Sequence, residues 1–200
     1  MKKSFDKLIC GYKKFREKYA SGDNSVMQRL ADRGQRPEVM VVACSDSRVD
    51  PSVILQCDPG ELFMVRNVAN IVPPYELDDR HHGTSAALEF GVCYLKVKHL
   101  IILGHSQCGG IQALLTQEEL KQNDFITHWV SVIDHKSKTH DHDEFAKESL
   151  FQSYKNCLTF PWIKNAMDDN QLKIHLWFFD IGAGEINEFD FESKRFQKLQ

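Results

Sequence analysis

Two short apolar segments, each followed at once by polar and cysteine residues, constrain the fold of this 200-residue chain more than any other feature. The first is Val39-Met40-Val41-Val42-Ala43, ahead of Cys44, and the second is Leu100-Ile101-Ile102-Leu103, ahead of Gly104. Runs of this length that are rich in β-branched residues and bounded by turn residues are typical of buried strands. Both polar runs therefore stand where a strand ends.

Helical segments are predicted around these strands. Apolar periodicity predicts helices at residues 5–19, 25–33 and about 84–95, and a mainly helical region beyond residue 116. Further strands are predicted at residues 62–65, 172–179 and, as an edge strand that turns back, 182–191. Strands that alternate with helices indicate a parallel sheet with crossover helices on its faces. We therefore predict an α/β fold with a central, mostly parallel β-sheet of about four strands plus an antiparallel edge strand, flanked by helices, with an N-terminal helical arm.

Two cysteines and a histidine at these strand ends form a set of zinc ligands. Thiolate sulfur and imidazole nitrogen bind zinc tetrahedrally at about 2.0–2.3 Å. His105 and Cys108 lie three residues apart, so a tight turn can fold them around one ion, whereas Cys44 reaches that ion only through the fold. The carboxyl ends of parallel strands, where both motifs fall, are the usual ligand sites of open α/β sheets. Three protein ligands leave a fourth position free, which is typical of a catalytic zinc.

Two questions stay open at this point. A structural zinc closes with four strong ligands, and the nearest spare histidine, His99, stands at the far end of the strand that leads to His105. Asp46 and Arg48 can pair as carboxylate and guanidinium to fix the loop, or Asp46 can reach the metal. The residues alone favour catalytic zinc over structural zinc and leave the position of Asp46 undecided.

The two motifs carry a family resemblance. Cys44-Ser45-Asp46-Ser47-Arg48-Val49 and Gly104-His105-Ser106-Gln107-Cys108-Gly109-Gly110 resemble the two signatures of the β-class carbonic anhydrases. The likeness extends over residues 59–63, 66–70 and 86–95, and it is close from residue 35 to residue 115. It implies reversible hydration of CO2 to bicarbonate and a proton by attack of zinc-bound hydroxide. One Zn2+ per subunit is then held by Cys44, His105 and Cys108.

The resemblance also implies roles for neighbouring residues. Asp46, paired with Arg48, accepts a hydrogen bond from the hydroxide, and in some members the Asp moves onto the metal at low pH as a fourth ligand. We expect the Asp46–Arg48 pair near pH 8. Gly109 presents its backbone N–H to substrate or product. The implied substrate-binding residues, some of which face the neighbouring subunit's site in the family, are Gln35, Phe63 and Val68.

The resemblance is closer to the plant-type pattern than to the bicarbonate-regulated bacterial pattern, and the chain departs from each at one position. Phe90 stands where plant-type members carry a tyrosine, so that hydroxyl is missing. Val41 stands where some bacterial members carry the tryptophan of a regulatory bicarbonate pocket, although Arg66 is kept. We therefore predict that this bicarbonate inhibition is absent.

Composition excludes several classes of partner. The net charge of −3 argues against a nucleic-acid partner, and no stretch approaches the ~20 apolar residues that span a bilayer. The Met1-Lys2-Lys3 start resembles a signal peptide, but charged residues interrupt any apolar segment after it, so we expect a cytoplasmic protein. Six cysteines in such a protein favour thiols or metal ligands over disulfides. The four outside the motifs, Cys10, Cys57, Cys93 and Cys157, are interpreted as packing residues.

The expected organisation is a single domain over residues 1–200. Residues 1–34 form a dimerisation arm by resemblance, residues 35–115 the zinc-site core, and residues 116–200 a helical region with C-terminal strands. Self-association as a dimer or tetramer is expected. Two other functions stay open: a CS2 or COS hydrolase on the same fold, and a non-catalytic zinc- or bicarbonate-binding protein. The proton shuttle is unassigned. Tyr75, His81 and His82 follow the second strand and are candidates at the mouth of the site. The four histidines at 128, 135, 140 and 142 are interpreted as part of a solvated polar loop, with a proton shuttle or a second metal site as the alternatives.

Overall fold

The computed structural model describes residues 2–78, 81–116, 125–133, 139 and 141–199. The described helices are α1 (Lys2–Tyr19), α2 (Val26–Arg33), α3 (Pro51–Ile54), α4 (Gly83–Glu89), α5 (Gly109–Thr116), α6 (Phe125–Val130), α7 (His142–Cys157) and α8 (Pro161–Asp168). The described strands are β1 (Val39–Cys44), β2 (Leu62–Asn67), β3 (His99–His105), β4 (Lys173–Asp180), β5 (Glu185–Asp190) and β6 (Arg195–Lys198).

The strands form one mixed sheet in the order β2-β1-β3-β4-β5-β6. The first four neighbours in that order pair in parallel, and β5 and β6 add an antiparallel end. Helices between the parallel strands supply the crossovers that parallel pairing requires. The predicted α/β class, the mostly parallel sheet and the N-terminal helix are confirmed.

The antiparallel end differs in detail from the prediction, because β6 follows β5 and takes the edge position. The turn between them is built by Asp190, whose Oδ1 accepts the Glu192 amide at 2.9 Å and whose Oδ2 accepts the Ser193 hydroxyl at 2.8 Å. Lys194 then adopts a left-handed φ of 56°. Gly and Pro, the strongest turn signals, are absent from this stretch, so a sequence pattern gives little warning of the second hairpin.

The predicted helix over residues 84–95 is α4 followed by a π-helical turn, Phe90–Leu95. Gly91 lies within that turn against β1, and a Cβ added there would stand 2.6 Å from the Met40 sulfur. The wider turn therefore brings backbone onto the sheet where a side chain has no room. Lys96 ends the turn in the left-handed region, with φ 56°.

The core lies around β1 and β3, in which nearly every side chain is buried. Helix α7 packs on one face of β3, where a Cβ on Gly104 would stand 3.1 Å from a Leu150 methyl carbon. Removing such side chains from water is worth about 25 cal/mol per Å² of apolar area. The buried pair of strands holds the carboxyl ends of β1 and β3 side by side.

Helix α1 has an unusual surface for a helix of a folded chain. The exposed fractions of its apolar side chains run from 37% to 67%, for Phe5, Leu8, Ile9, Tyr12 and Phe15. Among the described helices, none combines the length and the apolar character that a membrane span needs. The apolar face of α1 is therefore open in the single chain.

The cysteines outside the motifs divide into two groups. Cys157 is fully buried in α7, and burial raises the pKa of its thiol to about 12. Cys10 and Cys93 are exposed, so their interpretation as packing residues is wrong for the single chain. Cys57 is half-buried.

Candidate metal centre

The three predicted ligands meet at the carboxyl edge of the sheet. In the β1–β3 register Ala43 lies opposite Leu103, so the chain delivers Cys44 and His105 next to each other, and the following turn returns Cys108. One ligand atom from each of the three lies within 4.8 Å of the others. The exposed fractions are 5% for Cys44, 1% for His105 and 2% for Cys108.

The arrangement fits a zinc ion. The two sulfur atoms lie 3.9 Å apart, close to the ~3.8 Å that two bonds of about 2.3 Å make at a tetrahedral angle. His105 Nδ1 donates to the Ser106 carbonyl at 2.9 Å, which places the free lone pair on Nε2. That Nε2 is buried and has no hydrogen-bond partner among the described residues. Buried polar atoms nearly always have a hydrogen-bond partner. A buried nitrogen beside two thiols whose lone pair is not used in a hydrogen bond is therefore the arrangement expected of a metal ligand.

Backbone amides surround the two sulfurs. The Cys108 thiol and the His105 ring lower the pKa of Cys44, and the amides of Asp46 and Ala69 add to this by donating to its thiolate. The hydrogen bond to the Cys44 sulfur and burial raise the pKa of Cys108, and the amides of Ile111 and Gly110 oppose that rise. Metal ligation needs the thiolate form, so these donors favour the ligating state of both residues.

Asp46 and Arg48 form a two-point ion pair beside the ligands. Arg48 Nε donates to Asp46 Oδ1 at 3.0 Å, and Nη2 donates to Oδ2 at 2.7 Å. The Arg48 amide also donates to Oδ1 at 2.9 Å. These hydrogen bonds hold the pKa of Asp46 well below its usual range. Asp46 is therefore turned to Arg48, and the ligand group in the described residues contains Cys44, His105 and Cys108 without it.

Arg66, on β2, is committed to the loop after β1. Its Nε donates to the Cys44 carbonyl at 2.9 Å, Nη2 to the Asp46 carbonyl at 2.7 Å, and Nη1 to Asp50 Oδ2 at 2.9 Å. Val41 is completely buried in β1. That bicarbonate does not inhibit the protein stays a prediction. It agrees with the three hydrogen bonds that hold Arg66 to the loop after β1.

Val68 lies at the centre, in a tight turn that follows β2. Ala69 and Asn70 adopt left-handed φ values of 64° and 47° while buried, which turns the chain sharply after Val68. The Val68 carbonyl accepts Trp129 Nε1 at 2.7 Å. A Cβ on Gly110 would stand 2.6 Å from a Val68 methyl carbon. The lack of a side chain at Gly110 therefore allows this turn to lie close to the loop that carries Cys108.

Gly109 differs from its neighbour, because a Cβ added to it meets nothing within 4 Å. It begins α5 and faces open space next to Cys108. The backbone there is open to a small molecule. Whether Gly109 acts on substrate stays a prediction.

Gln35 and Phe63 do not join the centre of their own chain. Phe63 lies in β2 and pairs with Met40 of β1, which is four residues before Cys44. Four residues span about 13 Å along a strand. Gln35 precedes β1 and is exposed. Phe63 stacks instead on Phe90, with ring centroids 5.7 Å apart. Both residues lie at the amino end of the sheet.

A cavity of about 860 Å³ is lined in part by Val68, His81, His82 and Trp129. His82 Nε2 lies 2.6 Å from Asp78 Oδ1. Of the other histidine candidates, His128 lies in α6 and His142 begins α7. His135 and His140 lie outside the described residues. The shuttle remains unassigned.

Several contacts at the centre have no counterpart in the sequence analysis. They are the Ser106 carbonyl, the Ala69 amide, the Trp129 indole and the carboxylate of Asp143, whose Oδ1 accepts the Gln107 amide at 2.8 Å. Each of these contacts has a backbone N–H or C=O group at one end. Nearly every residue type carries both groups, so the sequence does not mark that end of the contact. Only the position of Ser106 inside a motif was a usable signal.

Comparison with known proteins gives consistent results. The family described as "Carbonic anhydrase" has a sequence model that matches residues 39–186. A carbonic anhydrase from Synechocystis sp. is 35% identical over 196 residues, which cover 92% of this chain and 70% of the relative. The solved structure of the β-carbonic anhydrase CcaA matches with a TM-score of 0.87 and 32% identity, covering 99% of this chain and 93% of the other. A tetrameric β-carbonic anhydrase from Sordaria macrospora matches with a TM-score of 0.71 and 30% identity, covering 92% and 93%.

Proposed function

The chain belongs to the β-carbonic anhydrase family of enzymes, and from that premise we propose that it catalyses the reversible hydration of CO2 to bicarbonate and a proton with one Zn2+ per subunit. The observation that carries the proposal is the buried group of Cys44, His105 and Cys108, in which His105 Nε2 has no hydrogen-bond partner in the part of the chain that the structure describes. Three ligands are the number that a catalytic zinc takes from its protein.

The three ligands would hold the ion in fixed geometry. Ser106 keeps the His105 ring in the tautomer that presents Nε2, and the amides of Asp46 and Ala69 support the Cys44 thiolate. Zinc in such a site supplies hydroxide near neutral pH by lowering the pKa of a bound water to about 7, a value that the general chemistry of carbonic anhydrase zinc provides.

Asp46 would orient the attacking oxygen. Because Arg48 holds its pKa low, the Asp46 side chain is a carboxylate that accepts hydrogen bonds and donates none. By accepting a hydrogen bond from the attacking oxygen, Asp46 would hold that oxygen with a lone pair directed at the carbon of CO2. Moving Asp46 onto the metal would give up its three hydrogen bonds from Arg48, which favours the paired arrangement.

The substrate pocket would be completed by a second copy of the chain. Val68 supplies an apolar wall from the same chain, and Gly109 a backbone amide. Gln35 and Phe63 lie too far along the sheet to reach their own centre, so their proposed pocket role needs a neighbour. A dimer or tetramer, with residues 1–34 as its arm around core residues 35–115, supplies that neighbour; the tetrameric relative supports this part of the proposal. Residues 116–200 complete the proposed single domain, and we propose a cytoplasmic location.

Stopped-flow CO2 hydration tests the proposal. Zinc-loaded wild type should hydrate CO2 well above the buffer rate and with higher kcat/KM than it hydrolyses COS or CS2, which separates the two enzymatic alternatives. Cys108→Ser should lose zinc and hydration together, because a hydroxyl is a poor replacement for a thiolate ligand. Cys57→Ser, at a half-buried cysteine away from the centre, should retain both. Folded, fully zinc-loaded wild type that does not exceed the buffer rate would instead support a non-catalytic zinc- or bicarbonate-binding protein.

A further inference from the structure

The turn between the second and third ligands contains a residue in a demanding conformation. Gln107, directly before Cys108, adopts a left-handed φ of 54°. Residues other than glycine rarely hold this conformation, and they persist in it where surrounding contacts fix the backbone. The contacts of Gln107 therefore bear on where Cys108 points.

Both backbone groups of Gln107 are held from outside the turn. Its amide donates to Asp143 Oδ1 at 2.8 Å, and its carbonyl accepts Arg48 Nη2 at 3.1 Å. Arg48 is the same guanidinium that pairs with Asp46. A chain of hydrogen bonds thus runs from Asp143 through the Gln107 peptide groups to the Asp46–Arg48 pair.

The acidic residues at the start of α7 have separate partners. Asp141 is the N-cap, and its Oδ1 accepts the amides of Asp143 and Glu144. Glu144 Oε1 pairs with Lys147 Nζ at 2.7 Å. Asp143 makes the long-range contact, to an amide 36 residues earlier in the chain. Because α7 is packed on β3 through Leu150, the Asp143 carboxylate is presented from a rigid support.

We propose that Asp143 is a positioning residue for the metal centre. Its carboxylate holds the Gln107 amide and so fixes the direction of Cys108 and the carbonyl on which Arg48 rests. Asp143 touches neither the ligands nor the substrate and acts through Gln107. The inference rests on the proposed zinc-dependent function, and it adds a residue that the two motifs do not contain.

Three variants of zinc-loaded full-length protein test it: Asp143→Ala, Asp143→Asn and the control Glu144→Gln. The readouts are the rate of zinc transfer to a chromogenic chelator, the exchange rate of the Gln107 amide hydrogen, and kcat and KM for CO2 hydration. Removing a group that supports a metal ligand typically costs 10–100-fold in metal affinity or activity. We expect Asp143→Ala to release zinc about ten-fold faster, to exchange the Gln107 amide faster, and to lower kcat with KM little changed.

The conservative variant and the control separate positioning from general stability. The amide oxygen of Asp143→Asn still accepts a hydrogen bond, so this variant should recover most of the zinc retention and activity. Glu144→Gln lies in the same helical turn and loses a charge, yet it should behave as wild type in all three readouts. Zinc release and Gln107 exchange in Asp143→Ala equal to those of Glu144→Gln would overturn the proposal.

Two further outcomes keep the test decisive. Should Asp143→Ala fail to fold, Asp143→Glu is the deciding variant, because its longer side chain displaces the carboxylate; zinc release faster than wild type supports the proposal, and an unchanged rate overturns it. A wild-type protein that holds zinc but does not hydrate CO2 refutes the proposed function. Zinc release and Gln107 exchange then still decide the role of Asp143.

Discussion

The two ends of the parallel sheet differ in how fully one chain satisfies them. At the carboxyl end, Cys44, His105 and Cys108 are buried, and Arg66 and Asp143 tie the surrounding loops to β2 and α7. At the amino end, Gln35 is exposed, and α1 leaves its apolar face open. A single chain therefore completes the candidate metal centre, whereas the proposed substrate wall needs a second copy.

The physical reason lies in which groups tolerate water. Thiolates, a neutral imidazole and an ion pair need hydrogen-bond donors and acceptors in fixed positions around them. At the candidate metal centre, residues of the same chain supply those donors and acceptors. An apolar surface gains free energy from any cover, including a second copy. Fully burying one large apolar side chain is worth about 1.5–3 kcal/mol. The five exposed apolar residues of α1 thus represent a substantial drive to associate.

The largest effect is expected at the carboxyl end, from Asp46→Asn. The neutral amide turns an N–H2 group toward Arg48 and no longer acts only as an acceptor, so kcat/KM for CO2 should fall about 10²–10³-fold, the usual cost of losing such a group. Zinc content and oligomeric state should be unchanged. Glu38→Gln is the control at the amino end, where Glu38 pairs with Lys98 on the surface, and it should stay within about two-fold of wild type.

An intermediate effect is expected at the amino end, from Leu8→Glu. A charge in the apolar face of α1 should weaken self-association about 10–100-fold, as seen by sedimentation velocity, because the dimer loses about 1.5–3 kcal/mol of apolar burial in total. Activity should fall with the dimer while zinc stays bound, since the ligands belong to one chain. Lys14→Glu changes charge without removing an apolar contact and is the matched control. Loss of zinc from Leu8→Glu would break the proposed division between the two ends.

The smallest effect is expected from Asp141→Ala, which removes the N-cap of the helix that carries Asp143. Hydrogen bonds from the amides of Glu144 and Asp143 hold the pKa of Asp141 below its usual range. A lowered folded-state pKa stabilises the fold above the unfolded pKa of about 3.9, and that stabilisation is lost as the pH falls through the lower value. The melting temperature should drop by a few degrees, with a constant difference from wild type between about pH 8 and pH 5 that narrows below about pH 4. Glu148→Ala, later in α7, is the control and should leave the melting temperature close to that of wild type.

The fold and the meeting of Cys44, His105 and Cys108 at one edge of the sheet were predictable from the sequence for a specific reason. Cys44 and His105 each end an apolar run, and parallel strands bring such ends to one edge, so residue type and position pointed the same way. Asp143 carried no comparable signal, because it meets a backbone amide 36 residues away. The β5–β6 turn also gave no sequence signal, because hydrogen bonds to the Asp190 side chain form it without glycine or proline. Residue patterns report strands, helices and chemistry, whereas long-range side chain to backbone bonds leave no pattern.

X-ray absorption at the zinc edge of the purified protein tests the central claim most directly, because it counts the ligands around the ion. We expect two sulfur neighbours at about 2.3 Å and nitrogen or oxygen neighbours at about 2.0–2.1 Å. A wild-type spectrum without sulfur neighbours, or one with four protein ligands and therefore no free position, would contradict a catalytic site built from Cys44, His105 and Cys108.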